Sequence, residues 1–113
     1  MTKLLEQLRL GKVLLADGAM GTSLQQLGLE PGACPESWNV DHPERVGQVI
    51  KSYLDAGSDI VETNTFGGTR YKMQHYGLAD KVHDFNFHAA KLAKKLAGAN
   101  RFVAAGQITR LTL

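Results

Sequence analysis

Two glycine-closed acidic turns hold the residue types that could do chemistry. The first is Asp17-Gly18-Ala19-Met20-Gly21-Thr22, entered from the apolar run Val13 to Ala16. The second is Glu62-Thr63-Asn64-Thr65-Phe66-Gly67-Gly68, entered from Asp59-Ile60-Val61. A carboxylate at a strand end can make charge-assisted hydrogen bonds to a ligand, and a glycine-flanked turn aims backbone N–H groups at whatever lies above it. Gly18 and Gly21 are expected to let the first turn bend sharply. In parallel α/β proteins ligands sit at the carboxyl ends of the strands, so both turns belong to one small-molecule site. A plainer reading stands beside this one. Asp before Gly is a common turn former, and Glu62 can pair with a neighbouring strand end or cap a turn.

Other chemistries find little support. Cys34 is the single cysteine, which excludes an intramolecular disulfide and fits a reducing interior. It reads as a small buried hydrophobe rather than a reactive thiol. His42, His75, His83 and His88 show no HExxH spacing, and His83 and His88, five apart, share a helix face poorly. His42 reads as a helix-start residue and the other three as surface or boundary groups. Neither glycine turn fits the P-loop or GxGxxG pattern. With 13 Lys and Arg against 11 Asp and Glu the formal charge is +2. The densest positive cluster, Lys91, Lys94 and Lys95, falls at a predicted helix end, so no nucleic-acid partner is expected. No run approaches the roughly 20 apolar residues of a membrane span. The charged, amphipathic start lacks the apolar core of a secretory signal. The expectation is a soluble cytoplasmic protein without a membrane partner.

The elements that must position the two turns follow from glycine punctuation and periodicity. At 113 residues, 43% of them hydrophobic, the chain is one domain's worth of sequence. Residues 3–9 read as a lead-in helix with Leu4, Leu5 and Leu8 as its apolar stripe, ended by Gly11. Val13 to Ala16 reads as a first strand, its unbroken apolar character implying burial on both faces. A short helical turn at 23–27 and a loop at 28–39 follow. Asp41 with Glu44 fits a capping box with Pro43 in the first turn. Val46, Val49, Ile50, Tyr53 and Leu54 then mark one helix face, stopped by Gly57. A second strand is expected at 59–63 and a helical piece at 70–75. A long helix over 80–97 buries Val82, Phe85, Ala89, Leu92, Ala93 and Leu96, and a third strand covers 101–105. The fold class is α/β, a β-α-β-α-β parallel unit with helical crossovers.

Three of these segments together resemble the homocysteine S-methyltransferase family, which includes the homocysteine-binding domain of cobalamin-dependent methionine synthase. They are Asp17 to Thr22, Pro35-Glu36-Ser37-Trp38-Asn39, and Tyr53 to Gly67, and the match runs in order over residues 12–106. The resemblance implies a (β/α)8 barrel. A whole barrel takes about 250 residues, so residues 1–113 would be a partial homocysteine-binding domain, the first three strands of an incomplete barrel and an amino-terminal fragment. After the third strand the family continues with a glycine- and proline-bearing loop, whereas this chain reads Gly106-Gln107-Ile108-Thr109-Arg110-Leu111-Thr112-Leu113.

The implied activity is methyl transfer to the sulfur of homocysteine, giving methionine, from a methylated corrinoid, a betaine or an S-methyl sulfonium donor. In the family a zinc ion held by cysteine thiolates binds the substrate sulfur as thiolate. Those cysteines lie on later strands and Cys34 matches none of them. The expectation is therefore no metal site and no catalytic residue in this chain, with zinc belonging to the complete domain, methylcobalamin or methyltetrahydrofolate to other domains, and the isolated chain inactive. The resemblance assigns Asp17 to the homocysteine ammonium and the Gly18, Ala19 and Met20 N–H groups to its carboxylate. Glu62, Thr63, Asn64 and Thr65 line the same mouth. The small-molecule partner is homocysteine; a homo-oligomer or a separate carboxyl-terminal barrel half remain open as protein partners. Two rival readings exist: an assembly or anion-binding module that self-associates through exposed sheet edges, and a flavodoxin-like domain with strand order 2-1-3.

Overall fold

Alternating helices and short parallel strands form because apolar residues recur three and four apart in some segments and run unbroken in others. The computed structural model describes residues 2–107. Its helices are α1 (Thr2–Arg9), α2 (Gly21–Gln26), α3 (Trp38–Asp41), α4 (Pro43–Asp55), α5 (Arg70–Met73) and α6 (Val82–Ala97). The strands are β1 (Ile60–Glu62) and β2 (Phe102–Ala104), and single 3-10 turns occupy Pro35–Ser37, Gln74–Tyr76 and Ala79–Lys81.

Helix α4 buries Val46, Val49 and Ile50 as its periodicity predicts. Gly57, at φ +107°, makes the reversal into β1, a conformation costly for residues with a Cβ. Its start differs from expectation. The Pro35–Ser37 turn winds directly into α3, which carries Asp41 inside a helix, and the chain extends at His42, the residue before α4. His42 has φ −141° and ψ 59° and makes no side-chain cap hydrogen bond, so the Asp41–Glu44 capping box does not form. Helix α6 presents Phe85, Ala89, Ala93 and Ala97 to the core. Leu92 and Leu96 of α6 lie 3.6 and 3.5 Å from where a Cβ on Gly47 would sit, so that glycine lets α4 and α6 approach closely.

Strands β1 and β2 pair in parallel with Val61 opposite Val103, and α6 is the last helix of the connection between them. The expected first strand is reduced to one parallel bridge, Ala16 to Ile60. It is secured by the Asp17 amide donating to Ile60 O at 3.0 Å and the Ile60 amide donating to Leu15 O at 3.0 Å. Nor is that segment buried on both faces, since Val13 is 85% and Leu15 59% exposed. Helices cover one sheet face only: Val61 is fully buried, while Glu62 and Ala104 on the alternate face are exposed. Leu5 and Leu8 of the apolar stripe on α1 are likewise exposed. The neighbours run 13–17, β1, β2 in chain order, which removes the 2-1-3 arrangement of a flavodoxin-like domain. Of the segment 106–113, Gly106 and Gln107 are described and the expectation for 108–113 lies outside the described residues. Among the described residues no helix is long and apolar enough to cross a membrane.

Candidate functional site

At the carboxyl ends of the parallel segments lies a cavity of about 190 Å³. All eight residues expected at the mouth line it, joined by Gly21, Phe66 and Gly106. Asp17 enters it from the Ala16 bridge. Its Oδ2 accepts a hydrogen bond from the Glu62 amide at 2.9 Å, which ties the first turn to the end of β1. Its Oδ1 is buried and has no partner among the described residues. A buried carboxylate oxygen left unpaired is costly, so a ligand that brings a donor there recovers that cost. Glu62 supplies a second carboxylate, and among the described residues the lining contains no lysine, arginine or histidine. A Cβ on Gly106 would lie 3.1 Å from Glu62 Oε2, so the glycine makes room for that carboxylate. Its described side chains thus offer carboxylate oxygens to a donor or cation. Larger hollows of about 670 Å³ beside His83 and about 520 Å³ beside Tyr76 carry no such orphaned group.

The first turn is shaped by close approach rather than by left-handed glycine. Neither Gly18 nor Gly21 has a positive φ, which corrects the expected reason for the bend. The Tyr53 hydroxyl donates to Ala19 O at 2.8 Å, and a Cβ on Gly18 would lie only 3.0 Å from that hydroxyl oxygen. The amides of Gly18, Ala19 and Met20 donate to no group among the described residues, which leaves them available to an anion. Periodicity places Tyr53 on the apolar stripe of α4; the signal for its second role is the polar tip it carries at the end of that stripe.

Buried polar pairs hold the second turn. Asn64 Nδ2 donates to Pro35 O at 2.9 Å and to Asn39 Oδ1 at 3.0 Å, so its side chain serves the scaffold while its backbone lines the cavity. Asn39 Nδ2 donates to Asn64 O at 2.8 Å and Phe85 O at 3.1 Å. Thr65 Oγ1 donates to Gly106 O at 2.9 Å. Its 2.6 Å contact with Thr63 Oγ1 is therefore donated by Thr63. Glu36, buried at 3% exposure, accepts from the Gly67 amide at 2.9 Å. The Pro35–Asn39 segment thus bolts the Glu62–Gly67 turn in place. Sequence reasoning gave Glu36 no role; the one signal was its place in the Pro35–Asn39 motif.

Cys34 lies outside the cavity, packed in a second small core with Met73 and Phe85. Its thiol donates toward Glu36 Oε1 at 3.5 Å, with Met73 Sδ at 3.8 Å. Burial, reinforced by the nearby Glu36 carboxylate, pushes it from 9.0 up to about 11. The folded chain holds this proton where the unfolded chain releases it. The stability contributed is thus full below about pH 9 and lost as pH rises toward 11. At pH 8 iodoacetamide is expected to alkylate the folded chain about 100-fold more slowly than the urea-unfolded chain, because the thiolate is the nucleophile. Equal rates, read by mass spectrometry, would contradict this environment.

The zinc implied by the resemblance finds no ligand set here. Among the described residues no three His, Cys, Asp or Glu side chains converge as a metal would require, and Cys34 is turned into its own core.

Fold and cavity together define an α/β chain with a cavity at the carboxyl ends of its parallel segments. The chain belongs to the homocysteine S-methyltransferase family, whose model matches residues 14–111. The methionine synthase of Mycobacterium leprae (strain TN) is 38% identical over a 104-position alignment that covers 85% of this chain and 8% of that protein. That of Mycobacterium tuberculosis (strain ATCC 25618 / H37Rv) is 36% identical over a 94-position alignment that covers 76% of this chain and again 8% of the relative. The chain therefore spans 8% of the length of these methionine synthases. Among solved structures, the metallated form of the homocysteine methyltransferase MmuM from Escherichia coli matches with TM-score 0.68 and 26% identity. That match covers 82% of this chain and 36% of the other.

Proposed function

We propose that the Asp17 cavity holds homocysteine by its amino-acid end, as the amino-terminal part of a homocysteine S-methyltransferase domain. The carrying observation is Asp17 Oδ1, buried and without a partner among the described residues, in a cavity whose described lining holds two carboxylates and no basic residue. The substrate ammonium donates to Asp17, and the substrate carboxylate accepts from the Gly18, Ala19 and Met20 amides. A thiol ionises near 8.5 and is largely protonated at neutral pH, so methyl transfer also needs a group that activates the sulfur. Residues 2–107 bind and orient; activation belongs to groups beyond them, and this chain alone performs no methyl transfer. The exposed Leu10, Val13 and Leu15 edge is surface that further barrel strands cover.

Calorimetric titration with homocysteine and with 4-mercaptobutyrate, which lacks only the amino group, tests the reading. Homocysteine is expected to bind at least about tenfold more tightly, the worth of one charge-assisted hydrogen bond. Equal affinities would sink it.

A further inference from the structure

Glu36 is a carboxylate at 3% exposure, in a segment where Ser37 Oγ donates to Cys34 O and Asn39 pairs with Asn64. Burying a carboxylate is expensive unless its oxygens are engaged. Here Oε2 takes the Gly67 amide at 2.9 Å and Oε1 faces the Cys34 thiol at 3.5 Å. Gly67 follows Phe66, which lines the Asp17 cavity, so the carboxylate grips the chain one residue from the cavity wall. The turn has little slack to take another path. A Cβ on Gly67 would lie 3.4 Å from Glu36 Oε2, and one on Gly68 3.1 Å from Thr65 O.

We infer that Glu36 is a positioning residue of this site, its side chain fixing the Gly67 amide and through it the Phe66 rim of the cavity. It lies outside the cavity lining. The inference deepens the homocysteine reading and rests on it only for the affinity measurement. Length and acceptor geometry matter here more than charge. Glutamine keeps the acceptor at the same reach and turns its Nε2 toward the Cys34 sulfur. Aspartate keeps the charge but is one carbon shorter, about 1.5 Å, and falls short of the Gly67 amide.

The test uses the 113-residue chain with Glu36→Gln, Glu36→Asp, Glu36→Ala and, as a core control away from the cavity, Val49→Ala. Gly67 amide hydrogen exchange by NMR reports the tether, and homocysteine titration reports the site. Glu36→Gln is expected to stay within about threefold of the unaltered chain in both readouts. Glu36→Asp and Glu36→Ala are expected to exchange Gly67 and release homocysteine at least about tenfold more readily, since a buried amide has lost its partner. Val49→Ala is expected to lower the melting temperature while leaving the affinity unchanged. Unchanged Gly67 exchange in Glu36→Ala, a glutamine variant as impaired as alanine, or an equal loss of affinity in Val49→Ala would each overturn the inference. If the unaltered chain binds no homocysteine, the functional reading falls by itself, and Gly67 exchange still decides the role of Glu36.

Discussion

An Asp17→Asn chain is expected to bind homocysteine about 10- to 100-fold more weakly than the unaltered chain and yet to melt no earlier. The affinity loss follows from the chemistry of one oxygen. Asparagine can still accept the Glu62 amide now held by Oδ2, so the tie between the two turns survives. Its Nδ2 then replaces the buried, unpartnered Oδ1, and an amide donor faces the ligand's ammonium where an ionised acceptor stood. A hydrogen bond to a charged group contributes about 1.5–3 kcal/mol, which is the stated range of affinity. The stability half follows from the unliganded chain. An unpaired buried carboxylate oxygen is a standing cost, so replacing it with a neutral amide leaves the melting temperature level or raises it. The loss should vanish with 4-mercaptobutyrate, which has no ammonium for residue 17 to meet. Calorimetry with both ligands and thermal denaturation read all three effects. Unchanged homocysteine affinity would remove Asp17 from the site.

The largest stability effect is expected at Asn39. It is 2% exposed, donates to Asn64 O and Phe85 O, and accepts from Asn64 Nδ2. Replacing it with alanine leaves two carbonyl oxygens short of a donor and Asn64 Nδ2 with Pro35 O alone. Each unsatisfied buried group costs about 1–3 kcal/mol, and coupled groups do not add fully. A total near 3 kcal/mol is expected, which lowers the melting temperature of a chain this size by roughly 10 °C. Asn39→Asp keeps the size and loses both donors, so it is expected to fall as far or further. A melting temperature within about 2 °C of the unaltered chain would mean that the Asn39–Asn64 pair does not hold the second turn. The two variants separate the site's parts: Asp17→Asn removes ligand without removing fold, and Asn39→Ala removes fold first.

Much of this was legible along the chain. Val46, Val49 and Ile50 fall where a helix of 3.6 residues per turn must bury them, and they are buried. Gly57, Gly77 and Gly98 mark element ends and carry positive φ in the structure. Asp17 and Glu62 could be placed at one mouth because parallel strands put their carboxyl ends together. That the Asp41–Glu44 capping box fails to form was not legible, because the spacing of Asp41 and Glu44 carries no trace of the upstream turn that winds Asp41 into α3. Burial of Val13 and Leu15 was read from an apolar run, but a run reports only that burial is favourable, not whether a second layer is there to provide it.

The sequence by itself determined the family, the α/β alternation and the two acidic turns, because each is written in residues near one another in the chain: helical period, glycine stops and motif order. Tertiary structure alone decided what holds those turns. The Glu36 grip on Gly67 spans 31 residues and the Tyr53 bond to Ala19 spans 34. Such pairs form only where helix and sheet packing brings distant backbone within about 3 Å, and side-chain identity does not encode that distance. The same packing left Asp17 Oδ1 buried and without a partner among the described residues, a property of the folded surroundings that no local turn signal encodes.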